Sequence, residues 1–116
     1  MNPSTTNIEY IDGNNIYRWS SQTLWQCVEG LEIEEMEVEL FYWYFERDLW
    51  FQDKAVPTIL NVIEHFNRIL GAELEYPLIL SPNGIIIDGI HRLVKAFING
   101  HSRIKVVKLH YLPPSE

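Results

Sequence analysis

Three basic side chains lie close together at the start of a predicted helix, at His91, Arg92 and Lys95. The run of isoleucines before them predicts a buried strand, Asp88-Gly89 predicts a sharp turn, and the apolar spacing after them predicts a helix. The amino end of a helix carries partial positive charge and unpaired N–H groups, so basic residues are disfavoured there. This arrangement indicates an anion site, in which backbone N–H groups and the Arg92 guanidinium hold a phosphate.

The same residues also allow a purely structural interpretation. Asp88 is able to cap the helix by accepting a hydrogen bond from its first turn, and it is able to pair with Arg92. The basic side chains would then be neutralised within the chain. Residue spacing alone leaves both interpretations open.

The segment Asp88-Gly89-Ile90-His91-Arg92 resembles the Asp-Gly-x-His-Arg motif of the ParB/sulfiredoxin-like superfamily. The surroundings are also similar, with a strand at 76–80, a turn at 83–84, a helix stop at Gly100 and a last strand at 104–107. The resemblance covers about residues 56–110. It implies a nucleotide-binding domain of the same fold.

Carried onto this chain, the resemblance implies phosphate contacts for Gly89, His91 and Arg92, with Lys95 adding positive charge and Asp88 fixing the turn and orienting His91. The implied ligand is ATP, ADP or CTP with Mg²⁺, and the implied chemistry is phosphoryl transfer or nucleotide hydrolysis. Sulfiredoxin-type reduction is not expected, because that chemistry uses a cysteine immediately before the histidine and Ile90 stands there.

Glu73 and Glu75 are the candidate catalytic carboxylates beside Asp88 and His91. Kinases of the resembled superfamily use an acidic side chain as the base, and a carboxylate near the phosphate also positions magnesium. Both glutamates would approach the motif if the strand at 76–80 pairs with the one at 85–88. The alternative is that both are exposed loop residues.

Composition limits the class of protein. The chain has 116 residues, 47% of them hydrophobic, and a net charge of −7, which predicts one globular domain spanning 1–116. The charge argues against nucleic acid as a partner and therefore against a DNA-associated partition or nuclease-like protein, but it allows a small anionic ligand. A non-catalytic interaction module of the same fold remains the main alternative to an enzyme.

Location and assembly are less constrained. Cys27 is the only cysteine, so no intramolecular disulfide is expected, and the four histidines do not match a zinc-binding spacing. The sequence shows no signal-peptide pattern and no membrane-spanning run, which predicts a cytoplasmic protein without a membrane partner. Whether the chain forms a homo-oligomer is left open.

The first half of the chain predicts a hairpin and two further segments. Residues 7–11 and 16–19 flank a turn-forming cluster, and residues 1–6 and 113–116 are predicted to be flexible. Residues 20–29 fit either a short helix or a strand, with strand favoured. Residues 31–40 predict a half-buried strand with a bulge at Glu34-Glu35, whose glutamates form a solvated face rather than a metal or partner site.

The aromatic run at 41–51 has two interpretations. If it is helical, Trp43 and Tyr44 share a face, and the rings either belong to the core or a dimer contact, or wall a pocket for a nucleobase.

A helix is predicted from Pro57 to Gly71, with His65 solvated, and Asn83-Gly84 predicts a tight hairpin. Together these elements predict an α+β fold, a mixed β-sheet with two main helices.

Overall fold

The computed structural model describes residues 7–51 and 56–116. The elements in chain order are β1 (Asn7–Asp12), β2 (Asn15–Ser20), α1 (Ser21–Val28), β3 (Glu34–Glu37), a 3₁₀ helix (Val38–Glu46), α2 (Ile59–Gly71), β4 (Leu78–Leu80), β5 (Ile86–Asp88), α3 (Ile90–Ile98) and β6 (Arg103–Lys108). The predicted α+β class is confirmed. The predicted flexible segment at 1–6 lies outside the described residues.

The main sheet has four strands in the order β3-β6-β4-β5. β4 and β6 are parallel, whereas β3 pairs with β6 and β5 pairs with β4 in antiparallel fashion, so the sheet is mixed as predicted. The β4–β5 pairing brings Asp88 opposite Ile79, with an irregularity at Ile79/Leu80. Asp88 is therefore the last residue of an edge strand and is paired with β4.

β4 is buried on both faces of the sheet, because its successive side chains enter two different apolar clusters. Leu78 and Leu80 belong to one cluster with the 3₁₀ helix and α3, and Ile79 belongs to the other with α1 and β2. All three side chains are fully buried. A continuous apolar strand is what two-sided burial requires.

The β1–β2 hairpin forms as predicted, with Asn7 pairing with Ser20 and Asp12 with Asn15. It also holds the last residues of the described chain. The Trp19 indole N–H donates to the carbonyl of Pro113 at 3.1 Å, and the carboxylate of Glu116 accepts a hydrogen bond from the Ser20 backbone N–H. Residues 113–116, predicted to be flexible, thus pack against the hairpin.

The preference for a strand at residues 20–29 was wrong, because this segment forms α1. Ser20 caps the helix by accepting a hydrogen bond from the Thr23 N–H at 3.2 Å. Ser21, Leu24 and Val28 are buried at helical spacing. The N-cap signal and this spacing outweigh the β-propensity of the segment.

The strand predicted over 31–40 is shorter than expected. β3 covers only Glu34–Glu37 and pairs with β6 in regular register, so the predicted bulge at Glu34-Glu35 is absent. From Val38 the chain forms the 3₁₀ helix, which buries Val38, Phe41 and Tyr44. A spacing of three matches the three residues per turn of a 3₁₀ helix.

α2 begins two residues later than predicted and packs only a narrow face. Thr58 is the N-cap and forms a capping box with Asn61, so Pro57 lies before the helix. Ile69 is the buried residue of α2.

The hairpin turn at 81–85 is longer than the predicted two-residue turn. The Ser81 N–H closes it by donating to the carbonyl of Ile85, and Gly84 has a positive φ of 85°.

Candidate functional site

The junction between β5 and α3 is a strand that turns directly into a helix at Gly89. Gly89 is the N-cap of α3 with φ of 117°, and its carbonyl accepts the first helical hydrogen bond from the Leu93 N–H at 3.0 Å. Because Gly89 has no side chain, no side-chain hydrogen bond caps the helix. The predicted cap by Asp88 is therefore wrong, whereas the predicted pairing of Asp88 with Arg92 is present.

Glycine is required at this position for two reasons. A φ of 117° is strained for any residue with a Cβ. A Cβ at Gly89 would also lie 2.7 Å from Leu78 Cδ2 and 2.9 Å from Arg92 Nη2. The backbone of the turn thus lies directly against the Arg92 guanidinium.

Arg92 packs inwards beneath the turn instead of extending into water. The residue is 8% exposed, and its Nη2 lies 3.4 Å from Asp88 Oδ2 while its Cζ lies 5.4 Å from the centroid of the Trp25 ring. Burial lowers the pKa of Arg92, and the neighbouring Asp88 carboxylate partly offsets that effect. The buried Nε makes no hydrogen bond to any described residue.

His65 and His91 form a hydrogen-bonded pair that sequence analysis did not predict. His65 Nδ1 on α2 lies 2.9 Å from His91 Nε2 on α3. The Trp50 indole stacks on both imidazoles, with ring centroids 4.4 Å from His65 and 4.8 Å from His91 and interplanar angles of 9° and 6°. One indole face thus covers the whole pair.

The environment of the pair favours neutral imidazoles. The pKa of His91 is lowered to about 4, mainly by burial and also by the nearby His65, Arg68 and Arg92. Burial also lowers the pKa of His65, with Arg68 contributing and Glu64 opposing. In a neutral pair, one nitrogen of the shared bond donates and the other accepts, so protonation at the two outer nitrogens is linked.

A surface depression of about 500 Å³ opens in front of this turn. Its polar lining consists of Arg68, Glu73, Asp88, His91 and Arg92, and the Trp50 ring forms one wall. The structure therefore brings Glu73 together with Asp88, Gly89, His91 and Arg92. The depression combines two guanidiniums, two carboxylates and one end of the histidine pair.

Two other predicted site residues lie elsewhere. Glu75 lines a separate pocket with Trp25 and Tyr76. The ammonium of Lys95 donates to the carbonyls of Leu70 and Ala72, at 2.9 and 2.7 Å. Lys95 thus satisfies carbonyls at the carboxyl end of α2, where a cation also complements the helix dipole.

An apolar pocket of about 460 Å³ adjoins the depression. It shares Trp50 and Ile90 with the depression and is lined mainly by residues 44–51 together with Val94. Part of the aromatic run therefore lines a pocket, while Phe41 and Tyr44 are core residues. The core interpretation is thus confirmed for Phe41 and Tyr44, whereas the role of the pocket as a nucleobase site stays a prediction.

Sequence analysis missed His65, Arg68 and Trp50 as site residues. One signal was present, since Asn61, His65 and Ile69 are four residues apart and share the packed side of α2. A histidine on a packed face needs a hydrogen-bond partner. Its partner on α3, His91, depends on tertiary packing and is not predictable from the local sequence.

Within residues 7–51 and 56–116, no group of three or more His, Cys, Asp or Glu side chains is arranged to hold a metal ion. Among the described helices, none has the length and apolarity needed to cross a membrane.

Comparison with known proteins adds no relative. No protein-family model matches the chain, and no curated protein or solved structure matches it significantly. The functional interpretation of the depression therefore rests on its own geometry and chemistry.

Proposed function

We propose that this protein binds a phosphate-bearing ligand, a nucleotide, with its phosphates at the start of α3. The observation that carries the proposal is that α3 begins at Gly89 without a side-chain cap and faces a depression lined by Arg68 and Arg92. The uncapped N–H groups and the helix dipole favour an anion at this point. The resemblance of Asp88-Gly89-Ile90-His91-Arg92 to the ParB/sulfiredoxin-like motif supports the same ligand class.

Arg92 supports the proposal because its hydrogen bonding is incomplete. A guanidinium has five N–H donors, and the contact to the Asp88 carboxylate is long at 3.4 Å. The Nε donor is buried without a partner among the described residues. A phosphate oxygen in the depression would accept from the outer N–H groups of this side chain.

Arg68 would supply the second cationic contact. It lies on α2, is exposed, and lines the depression together with His91. An exposed guanidinium can move to form a bidentate contact with a phosphate on binding. In this arrangement Arg92 is fixed within the wall and Arg68 closes over the ligand.

The histidine pair would donate a hydrogen bond to an anion in one of its neutral tautomers. If His65 Nδ1–H donates to His91 Nε2, the proton of His91 lies on Nδ1, the nitrogen left for a ligand. A phosphate oxygen would stabilise that tautomer. The low pKa of His91 keeps the pair neutral while it donates at pH 7.

The adjoining aromatic pocket is the proposed site for the base. It shares Trp50 and Ile90 with the depression, so a base in the pocket and a phosphate at α3 belong to one continuous surface. Its volume of about 460 Å³ lies within the range of roughly 300–1,000 Å³ typical of ligand pockets. Aromatic rings stack on bases without strong sequence preference.

Glu73 is the proposed base if the protein catalyses phosphoryl transfer or nucleotide hydrolysis. It lines the depression with Asp88, and one or two carboxylates plus phosphate oxygens are a usual donor set for Mg²⁺. Asp88 and phosphate oxygens would hold the ion, which when bound would neutralise charge on the phosphates. Glu73 would then accept the proton of the attacking hydroxyl or water.

Binding is tested by calorimetric titration with ATP, ADP and CTP, with and without Mg²⁺. Arg68→Gln is expected to weaken binding about tenfold or more, since a charge-assisted hydrogen bond contributes roughly 1.5–3 kcal/mol. Arg103→Gln is the matched control, because Arg103 is also an exposed arginine but lies outside the depression. Absence of binding at millimolar nucleotide, or equal weakening in both variants, contradicts the proposal.

Catalysis is tested separately from binding. Glu73→Gln is expected to retain nucleotide affinity within a few-fold and to abolish turnover. Glu75→Gln is the control, because the two residues are neighbours in sequence but line different pockets. Turnover that survives in Glu73→Gln would reject this residue as the base without affecting the binding proposal.

A further inference from the structure

α2 carries an apolar face that nothing in the described chain covers. Ile59, Ile63, Phe66 and Leu70 lie along one side of the helix, and their exposed fractions range from 46% to 81%. Leu60 and Val62 beside them are also at least half exposed. Exposed apolar patches of this extent on a monomer usually mark an interaction surface.

The spacing of this stripe is the same in both directions along the helix. The intervals from Ile59 to Ile63, Phe66 and Leu70 are four, three and four residues. These are alternating d and a positions of a heptad, the pattern of helices that pack side by side. Because the order of intervals is symmetric, two copies of α2 fit antiparallel about a two-fold axis at residues 64–65.

The charges of α2 are also placed to permit self-association. Apart from the neutral His65, the ionisable residues of the helix are Glu64 and Arg68. Glu64 has a b position and Arg68 an f position, both away from the stripe. The flanking e and g positions hold Leu60, Val62, Asn67 and Ile69, none of which is charged. Two copies with a net charge of −7 each would therefore meet without charge repulsion in the contact itself.

The stripe is large enough for a small dimer interface. A standard interface buries about 800 Å² on each partner, and weak ones bury less. The six apolar side chains are 46% to 81% exposed, and no charge has to be desolvated at their centre. A second copy therefore covers the whole stripe, including both its ends.

We propose that the chain forms a homodimer through antiparallel α2 helices, with Ile63 of each copy packed against Phe66 of the other and Ile59 against Leu70. The contact lies on the side of α2 adjacent to the one that carries His65 and Ile69. Dimer formation therefore leaves the packed face of α2, and the histidine pair on it, within each copy. This proposal stands independently of nucleotide binding.

The first test is the mass of the full chain by sedimentation velocity from micromolar to millimolar concentration. The wild-type chain is expected to reach dimer mass, and Ile63→Glu is expected to weaken the dimer at least tenfold. Ile16→Glu is the matched control, because Ile16 has a similar exposed fraction on β2 and lies outside α2. Circular dichroism verifies that each variant retains its helices.

The second test determines orientation. Ile63→Glu and Phe66→Lys are each expected to be monomeric, whereas an equimolar mixture is expected to dimerise, because antiparallel pairing brings the introduced carboxylate opposite the introduced ammonium. Parallel helices would place residue 63 opposite 63, and the mixture would stay monomeric.

Several outcomes overturn the proposal. A wild-type chain that stays monomeric throughout overturns it, including a monomer that instead binds phospholipid vesicles. So does a dimer that tolerates Ile63→Glu. A mixture that shows no rescue overturns the antiparallel pairing.

Discussion

The Nδ1 atom of His65 lies 2.9 Å from the Nε2 atom of His91, which joins two helices through residues 26 positions apart in the chain. Trp50 stacks on both imidazoles and contributes to their burial. His91 and Trp50 line the depression at the start of α3. Protonation of the histidine pair therefore links the stability of the α2–α3 contact to the chemistry of the site.

The low pKa of His91 predicts a loss of stability in mild acid. Its folded-state pKa of about 4 lies below the ordinary value of 6.5, so the unfolded chain binds this proton first as the pH falls. The stabilisation is fully present above about pH 6.5 and is lost between about pH 6.5 and 4. Allowing for partial solvent access, the loss is about 1–2 kcal/mol.

Urea unfolding across this pH range measures the effect. His91→Gln is expected to flatten the profile between pH 6.5 and 4, compared with wild type. His110→Gln removes an exposed histidine elsewhere and serves as the control. An unchanged profile in His91→Gln would show that other groups cause the acid sensitivity.

Trp50 is expected to maintain the low pKa of His91. Trp50→Ala removes the ring that covers both imidazoles, so water reaches them and the pKa of His91 rises towards 6.5. A titration of the histidine ring protons by NMR measures this shift. Trp43→Ala is the control, since Trp43 is exposed and stacks on Tyr44 instead. Equal titration curves in wild type and Trp50→Ala would contradict the prediction.

Local signals in the sequence predicted the elements around the site. The turn residues before β2, the apolar spacing of α2 and α3, and the Asp88-Gly89 turn each act over a few residues, and the structure contains all of them. The Ser20 cap of α1 is also a local signal, but the β-propensity of residues 24–28 competes with it. The wrong prediction of a strand at 20–29 arises where two local preferences compete.

Contacts between distant segments were not predictable in the same way. The partner of His65 depends on how α2 lies across α3, and the different positions of Glu73 and Glu75 depend on the path of the chain between α2 and β4. Charge pattern placed Lys95 near a phosphate, whereas packing places it at the end of α2. One local sequence is compatible with many such arrangements.

Lys95 is therefore expected to affect stability and not ligand binding. Lys95→Met removes the donor to the Leu70 and Ala72 carbonyls and should cost about 1–2 kcal/mol of unfolding free energy, measured by urea titration. Lys108→Met, an exposed lysine on β6, is the control. If Lys95→Met instead retained stability and lost nucleotide affinity, Lys95 would be a phosphate-binding residue and the prediction would be wrong.

Gly89 is expected to be the glycine least tolerant of substitution in this part of the fold. Gly89→Ala combines a strained φ of 117° with a Cβ only 2.7 Å from Leu78 Cδ2 and 2.9 Å from Arg92 Nη2. The expected cost is about 2–4 kcal/mol, as strain and overpacking add.

Gly13→Ala separates these two causes. Gly13 also has a positive φ, 61°, but no atom lies within 4 Å of an added Cβ, so about 1–2 kcal/mol is expected from strain alone. Urea unfolding of both variants gives the difference, which measures how closely the turn packs on Leu78 and Arg92. Equal costs would mean that both Leu78 and Arg92 move aside readily. In that case the guanidinium is not held in place by the turn, and preorganisation of Arg92 for a phosphate would be rejected.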